Sequence, residues 1–272
     1  MIVITVDGLN WKYAKDMYKD IFPEQSMRMI RSNVRSFTNT PDGGSPTTVG
    51  LTCMWSGKHI KNLSDEIRST KHKDNVPIKW VDRNGKKLDL IWDYFDKPKF
   101  SFRHQGPNWL DDYKEFFVHF HSLENVKRTP SDEMCIFAEA SKDDWDFFWI
   151  HTAIVKGGVF LPGCYDKGRI PSLITYDEIR KDKKLKRDVY LFGARRYVEV
   201  IKWLQDIRPN DIFVISADHG TMTDIPFTPE QIDEIPLIVN RKIDLEDINY
   251  QWDFKKLLLR LKEMEENERQ QL

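Results

Sequence analysis

The apolar positions of this chain follow two rhythms. Met1 to Val6 (MIVITV) and Asp211 to Ala217 (DIFVISA) are short continuous runs rich in β-branched residues, the pattern of strands buried on both faces of a parallel sheet. Asp146 to Ile150, Glu234 to Val239 and Lys99 to His104 repeat it, Glu115 to His121 alternates as a strand does, and Val34 to Phe37 reads as another. Helical spacing appears over Trp11 to Tyr18 after Asn10, Gln25 to Ile30 after Pro23, Leu88 to Phe95, Ser131 to Ala140 and Tyr176 to Ile207. A last helix runs over Phe254 to Met264, with Phe254, Leu257, Leu258, Leu261 and Met264 on one face. This alternation predicts an α/β fold with a mostly parallel central sheet and helices on both faces.

The pattern also bounds the organisation. No repeat or linker divides the chain, so residues 1–272 read as a single domain. Residues 58–130 read as a cap-like excursion, because the stretch after Gly57 is polar and without period. Residues 265–272 are polar and read as a frayed tail.

The turn-rich segment before Gly57 holds the most chemistry. In Ser45-Pro46-Thr47-Thr48-Val49-Gly50-Leu51-Thr52-Cys53-Met54-Trp55-Ser56-Gly57, Pro46 pre-sets a helix start and Gly57 supplies a stop. A hydroxyl in that first turn faces unpaired backbone N–H groups and the positive end of the helix dipole, where an anion docks. Thr47 is the candidate nucleophile; the alternative for it is a plain N-cap. Two strand ends supply acidic company: Asp7-Gly8 after the first strand, and Asp218-His219-Gly220 after the late one. Open α/β sheets keep their ligands at the carboxyl ends of strands.

Charge and cysteine content narrow the classes. A net charge of -1 with 31% charged residues gives no field that favours nucleic acid, and the run Lys181 to Arg187 reads as a solvated helix face. No apolar run is long enough to span a bilayer. Cys53, Cys135 and Cys164 are widely spaced and lack C-x-x-C pairing, so neither a disulfide framework nor a zinc knuckle is indicated. Together with a start that lacks leader character, this predicts a cytoplasmic protein.

In that chain order, the strand with Asp7-Gly8, the threonine-bearing helix start and FVISADHG resemble the alkaline phosphatase superfamily, which includes sulfatases, nucleotide pyrophosphatases/phosphodiesterases and phosphoethanolamine transferases. The opening IVITVDGLNWKYA is similar to the phosphodiesterases, and Cys53-Met54-Trp55-Ser56 looks like the Cys-Met-Phe-Ser of the phosphoethanolamine transferases. In these families the nucleophile lies ten residues before the Gly that ends its helix, which implies Thr47, with Thr48 as second choice. The resemblance covers the first sixty residues and about 208 to 240, with a looser match around 145 to 166.

Metal chemistry follows from the same residues. Asp7 and Asp218 offer hard anionic oxygens, His219 a nitrogen and Thr47 a hydroxyl, a compact set for Zn²⁺ or Mn²⁺. A divalent cation lowers the pKa of a threonine hydroxyl enough for it to act as a nucleophile at neutral pH. The family's two-metal members add an Asp-x-x-x-His and a further His after the Asp-His pair; the sequence contains neither, which implies one ion per site. On the looser match, Ile154 and Lys156 replace the second-metal Asp and His, and Lys156 can place a cation there. His104 and His151 are candidates for substrate contact or leaving-group protonation. Glu115 and His119 form a substitute ligand pair of lower rank, and His59 and His72 read as solvent-exposed.

These residues predict a metal-dependent hydrolase of a small anionic phosphate ester, a diester or nucleotide-like substrate, acting through Thr47. A sulfatase or a phosphoethanolamine-transferase-like enzyme is the enzymatic alternative. A degenerate member that binds a metal, an anion or a protein without turnover is the other.

Overall fold

A computed structural model describes residues 1–34, 46–69, 79–102, 116, 139–152, 183–220 and 233–270. In chain order the elements are β1 (Ile2–Val6), α1 (Trp11–Tyr18), β2 (Met27–Arg31), α2 (Pro46–Ser56), α3 (Asp65–Ser69), β3 (Pro98–Phe102), β4 (Phe147–Thr152), α4 (Lys183–Ile207), β5 (Phe213–Ser216), β6 (Glu234–Val239) and α5 (Phe254–Gln270). Among the described residues these strands form one six-stranded sheet of order β2-β6-β5-β1-β4-β3. β1 is parallel to both β4 and β5, and β3 is parallel to β4. β6 alone runs against its neighbours β5 and β2. The result is the expected α/β architecture, a mostly parallel sheet with helices on both faces.

The central strand is central because its sequence is apolar without alternation. Ile2, Val3 and Ile4 are fully buried, so both faces of β1 need cover. α2 supplies part of it: residues 48–56 are buried without interruption, the mark of a helix embedded in the core. Its Trp55 packs edge-on against Trp149 of β4, ring centroids 4.4 Å apart, and near Trp92, Phe147 and Phe254. Gly57, at φ 65°, ends the helix in the left-handed region as the sequence predicts, its N–H bonded to the Cys53 carbonyl. α5 packs on α2, and α1 on α4.

Some local expectations give way to long-range pairing. Gln25 to Ile30 is not a helix: a single 3-10 turn at Glu24–Ser26 leads into β2, which pairs antiparallel with β6. Five residues are too few for local spacing to separate helix from strand, and the partner strand decides. Leu88 to Phe95 holds only a 3-10 turn, Ile91–Tyr94. Its apolar residues Leu88, Leu90, Ile91 and Trp92 enter the core consecutively instead of along one helical stripe. Part of the expected cap is therefore core and sheet, since Trp80, Trp92 and Phe100 are buried and β3 forms an edge.

At the C-terminus the helix continues through Gln270, where the sequence predicts fraying from residue 265. Pairs at i,i+4, Lys262 with Glu266 and Arg269 with Glu265, extend it. Glu265 also lies 3.9 Å from the Met1 ammonium. No helix among the described residues is long and apolar enough to cross a membrane.

Candidate metal centre

The carboxyl ends of β1 and β5 and the first turn of α2 meet at one point. Val3 and Thr5 of β1 point to one face of the sheet, and Asp7, two residues on, keeps that side just past the strand. β5 ends at Ser216, and the chain turns through Asp218 and His219. One contact ties the turns together. The Gly8 N–H donates to Asp218 Oδ1 at 3.0 Å, and the same oxygen accepts the His219 N–H at 3.0 Å. Asp218 is held so that Oδ2 remains, buried and accepting no hydrogen bond among the described residues.

The orientation of His219 follows from its far nitrogen. Nδ1 faces the Gly220 carbonyl, which can only accept, so a neutral His219 carries its proton on Nδ1 and turns Nε2, as its lone pair, toward the two carboxylates. Nε2 lies 3.4 Å from Asp7 Oδ1, 3.4 Å from Asp218 Oδ2 and 3.5 Å from Thr47 Oγ1. Asp7, Asp218 and His219 are 4%, 0% and 2% exposed, and one ligand atom from each lies within 4.8 Å of the others. Two carboxylates and an imidazole lone pair converging out of water repel one another unless a cation sits between them. The orphaned Asp218 Oδ2 and the oxygen, oxygen, nitrogen donor set fit a divalent ion.

α2 brings the hydroxyl. The helix begins at Pro46, so Thr47 lies inside its first turn and is not the residue that caps it. Thr47 is half-buried beside His219, whereas Thr48 is 4% exposed and its carbonyl accepts the Thr52 hydroxyl at 2.7 Å. Of the two threonines, the structure sets Thr47 against His219. The first-turn N–H groups of α2 and its dipole add positive potential at the same place.

Residues not singled out by the sequence hold this arrangement. The Tyr190 hydroxyl of α4 donates to the Gly8 carbonyl and accepts the Asn10 N–H, both at 3.2 Å, which pins the turn after Asp7. Gly50 lets α2 come against the Asp218 main chain: a Cβ there would lie 2.1 Å from the Asp218 carbonyl oxygen. A glycine inside an otherwise good helix is a sequence signal of close approach; nothing in the sequence marks Tyr190.

His151 sits on β4 opposite Thr5 in register. It is buried, with Nδ1 2.8 Å from Thr5 Oγ1, and that oxygen also accepts the Trp149 indole N–H at 2.8 Å. His59, expected in solvent, is half-buried: its Nδ1 accepts the Lys61 N–H at 3.1 Å and its ring lies tilted against that of Trp252, centroids 4.4 Å apart. His104, Glu115, His119 and Lys156 lie outside the described residues, as do His72, Cys135 and Cys164. Cys53 is buried in α2, and burial pushes its thiol pKa far up, which leaves it unreactive.

No family model and no curated protein matches the sequence. Solved structures do match in three dimensions. The chain is similar to a protein of the alkaline phosphatase superfamily from Vibrio parahaemolyticus, with TM-score 0.51, 13% identity, and coverage of 96% of this chain and 65% of that one. It is also similar to the C-terminal periplasmic domain of phosphoethanolamine transferase EptC from Campylobacter jejuni, with TM-score 0.50, 15% identity, and coverage of 95% and 87%. A third match is the lipoteichoic acid synthase LtaP from Listeria monocytogenes, with TM-score 0.52, 12% identity, and coverage of 94% and 69%. At such identities the likeness establishes the fold: the chain has the alkaline phosphatase superfamily fold, over about two thirds of the Vibrio protein's length.

Proposed function

We propose that this chain is a metal-dependent phosphoryl-transfer enzyme that hydrolyses a phosphodiester or nucleotide-like ester, with Thr47 as nucleophile. The observation that carries the reading is the convergence of Thr47 Oγ1, Asp7 Oδ1 and Asp218 Oδ2 on His219 Nε2, at 3.4 to 3.5 Å. Asp7, Asp218 and His219 would hold one divalent ion, Zn²⁺ or Mn²⁺. When bound, that ion supplies the positive charge that lowers the hydroxyl pKa and offsets the charge on the transferring group.

The chain's own groups do the rest. The first-turn N–H groups of α2 receive non-bridging phosphate oxygens. Thr47 Oγ1 bonds to phosphorus in line as the ester oxygen departs; the hydroxyl proton passes to solvent and the leaving oxygen takes one up. Water then cleaves the phosphothreonine and returns the threonine. Lys156 adds a cation near the transferring group, and His104 and His151 contact the substrate or protonate its leaving oxygen. A diester suits the site because a dianionic monoester asks for more compensating charge than these residues provide.

The stretch Cys53-Met54-Trp55-Ser56 and the likeness to a phosphoethanolamine transferase favour transfer to an alcohol as the second reading. Hydrolysis of bis-p-nitrophenyl phosphate tests the first. The expected result is turnover by the Zn²⁺- or Mn²⁺-loaded protein, none after chelation, and none for Thr47→Ala. Equal rates for wild type and Thr47→Ala remove Thr47 from the mechanism. Preferential cleavage of an aryl sulfate contradicts the phosphate assignment, and products carried only by an added alcohol favour transfer over hydrolysis.

A further inference from the structure

The main chain that carries Asp218 is gripped from two sides. α2 closes on it at Gly50, where a Cβ would stand 2.1 Å from the Asp218 carbonyl oxygen and 3.1 Å from Gln251 Nε2. Gln251 closes from the other side. It opens the 3-10 turn Gln251–Asp253 that leads into α5, and it is fully buried. Its Nε2 donates to the Asp218 carbonyl at 2.6 Å and to the Ala217 carbonyl at 3.2 Å.

Those carbonyls lie just beyond the sheet. The pairing of β5 with β1 and with β6 stops at Ser216, and backbone oxygens past that point need donors from elsewhere. Gln251 supplies them with both amide hydrogens. Its Oε1, by contrast, is buried and accepts no hydrogen bond among the described residues. A buried amide satisfied on one side only is less favourable for packing than an apolar side chain of the same shape, so the donors, and not the fill of the space, account for a glutamine here.

We infer that Gln251 is a positioning residue for the metal ligand Asp218 and couples α5 to the metal centre. With Oδ1 tied by two backbone N–H groups and the carbonyl tied by Gln251, Asp218 keeps one conformer, the one that presents Oδ2 beside His219 Nε2. The inference rests on the reading of Asp7, Asp218 and His219 as a divalent-cation site. Outer-shell partners of metal ligands typically change metal affinity by about 10- to 100-fold when removed, and Gln251 belongs to this class by geometry.

Calorimetric titration of the chelated full-length protein with Mn²⁺ and with Zn²⁺ tests it, with circular dichroism and thermal melting on the same samples. Gln251→Met keeps the bulk and removes both donors; Trp252→Ala disturbs the same turn by removing a ring that stacks on Tyr250 and lies tilted against His59. The expected result is a folded Q251M that binds the ion about 10- to 100-fold more weakly, while W252A lowers the melting temperature and binds within about threefold of wild type. If Q251M does not fold, Gln251→Asn, which draws the amide back by one methylene, takes its place with the same expectation. Wild-type affinity in the folded glutamine variant overturns the inference, as does an equal loss in W252A. A wild-type protein that takes up neither ion overturns the proposed function and this inference with it.

Discussion

The two ends of α2 are built for opposite purposes. At its C-terminal end Trp55 is fully buried, with Trp149, Trp92, Phe147 and Phe254 around it at ring distances of 4.4 to 6.4 Å. At its N-terminal end Thr47 is half-buried beside His219, which with Asp7 and Asp218 forms a group able to hold a cation. One helix thus stores stability at one end and chemistry at the other. Gly50 lies between them, where the helix backbone presses on the Asp218 main chain. The aromatic end fixes the helix axis, so the threonine is delivered to the carboxyl ends of β1 and β5.

Substitutions along α2 should separate these roles. Thr47→Ala is expected to lower diester turnover by about three orders of magnitude or more, while the melting temperature stays within about 2 °C. A large stability loss would make Thr47 a structural residue. Trp55→Ala should do the reverse: chemical denaturation is expected to show a loss of about 3–5 kcal/mol, with the turnover of the remaining folded protein close to wild type.

Gly50→Ala should show both effects, smaller. Relieving a Cβ placed 2.1 Å from the Asp218 oxygen requires a backbone shift, expected to cost about 1–3 kcal/mol and to weaken metal binding. Unchanged affinity would mean that Asp218 tolerates the displacement. The smallest effect is expected from Thr52→Val, which deletes the hydroxyl that donates to the Thr48 carbonyl in mid-helix. Its denaturation midpoint should shift by no more than the equivalent of about 1 kcal/mol.

The same comparison explains what the sequence discloses. Continuous apolar runs such as IVITV and FVIS state their burial outright, and Asp7, Thr47, Asp218 and His219 are legible because each falls at a strand end or helix start. Residues that act through distant partners are hidden. β2 is five residues whose partner strand lies about two hundred positions away. Tyr190 reads as one more aromatic on a helix, although its hydroxyl pins Gly8. Gln251 reads as one more polar residue before a helix, and the end of β5 gives its amide a purpose. The extension of α5 past Glu265 was written in its i,i+4 charge pairs, which a reading led by apolar spacing passes over.

Crystals soaked in Mn²⁺ or Zn²⁺ and measured across the metal's absorption edge put the central assignment to the most direct test. One anomalous peak is expected, in contact with Asp7, Asp218 and His219 and adjacent to Thr47. No peak at those residues, or a peak held by other side chains, would contradict it.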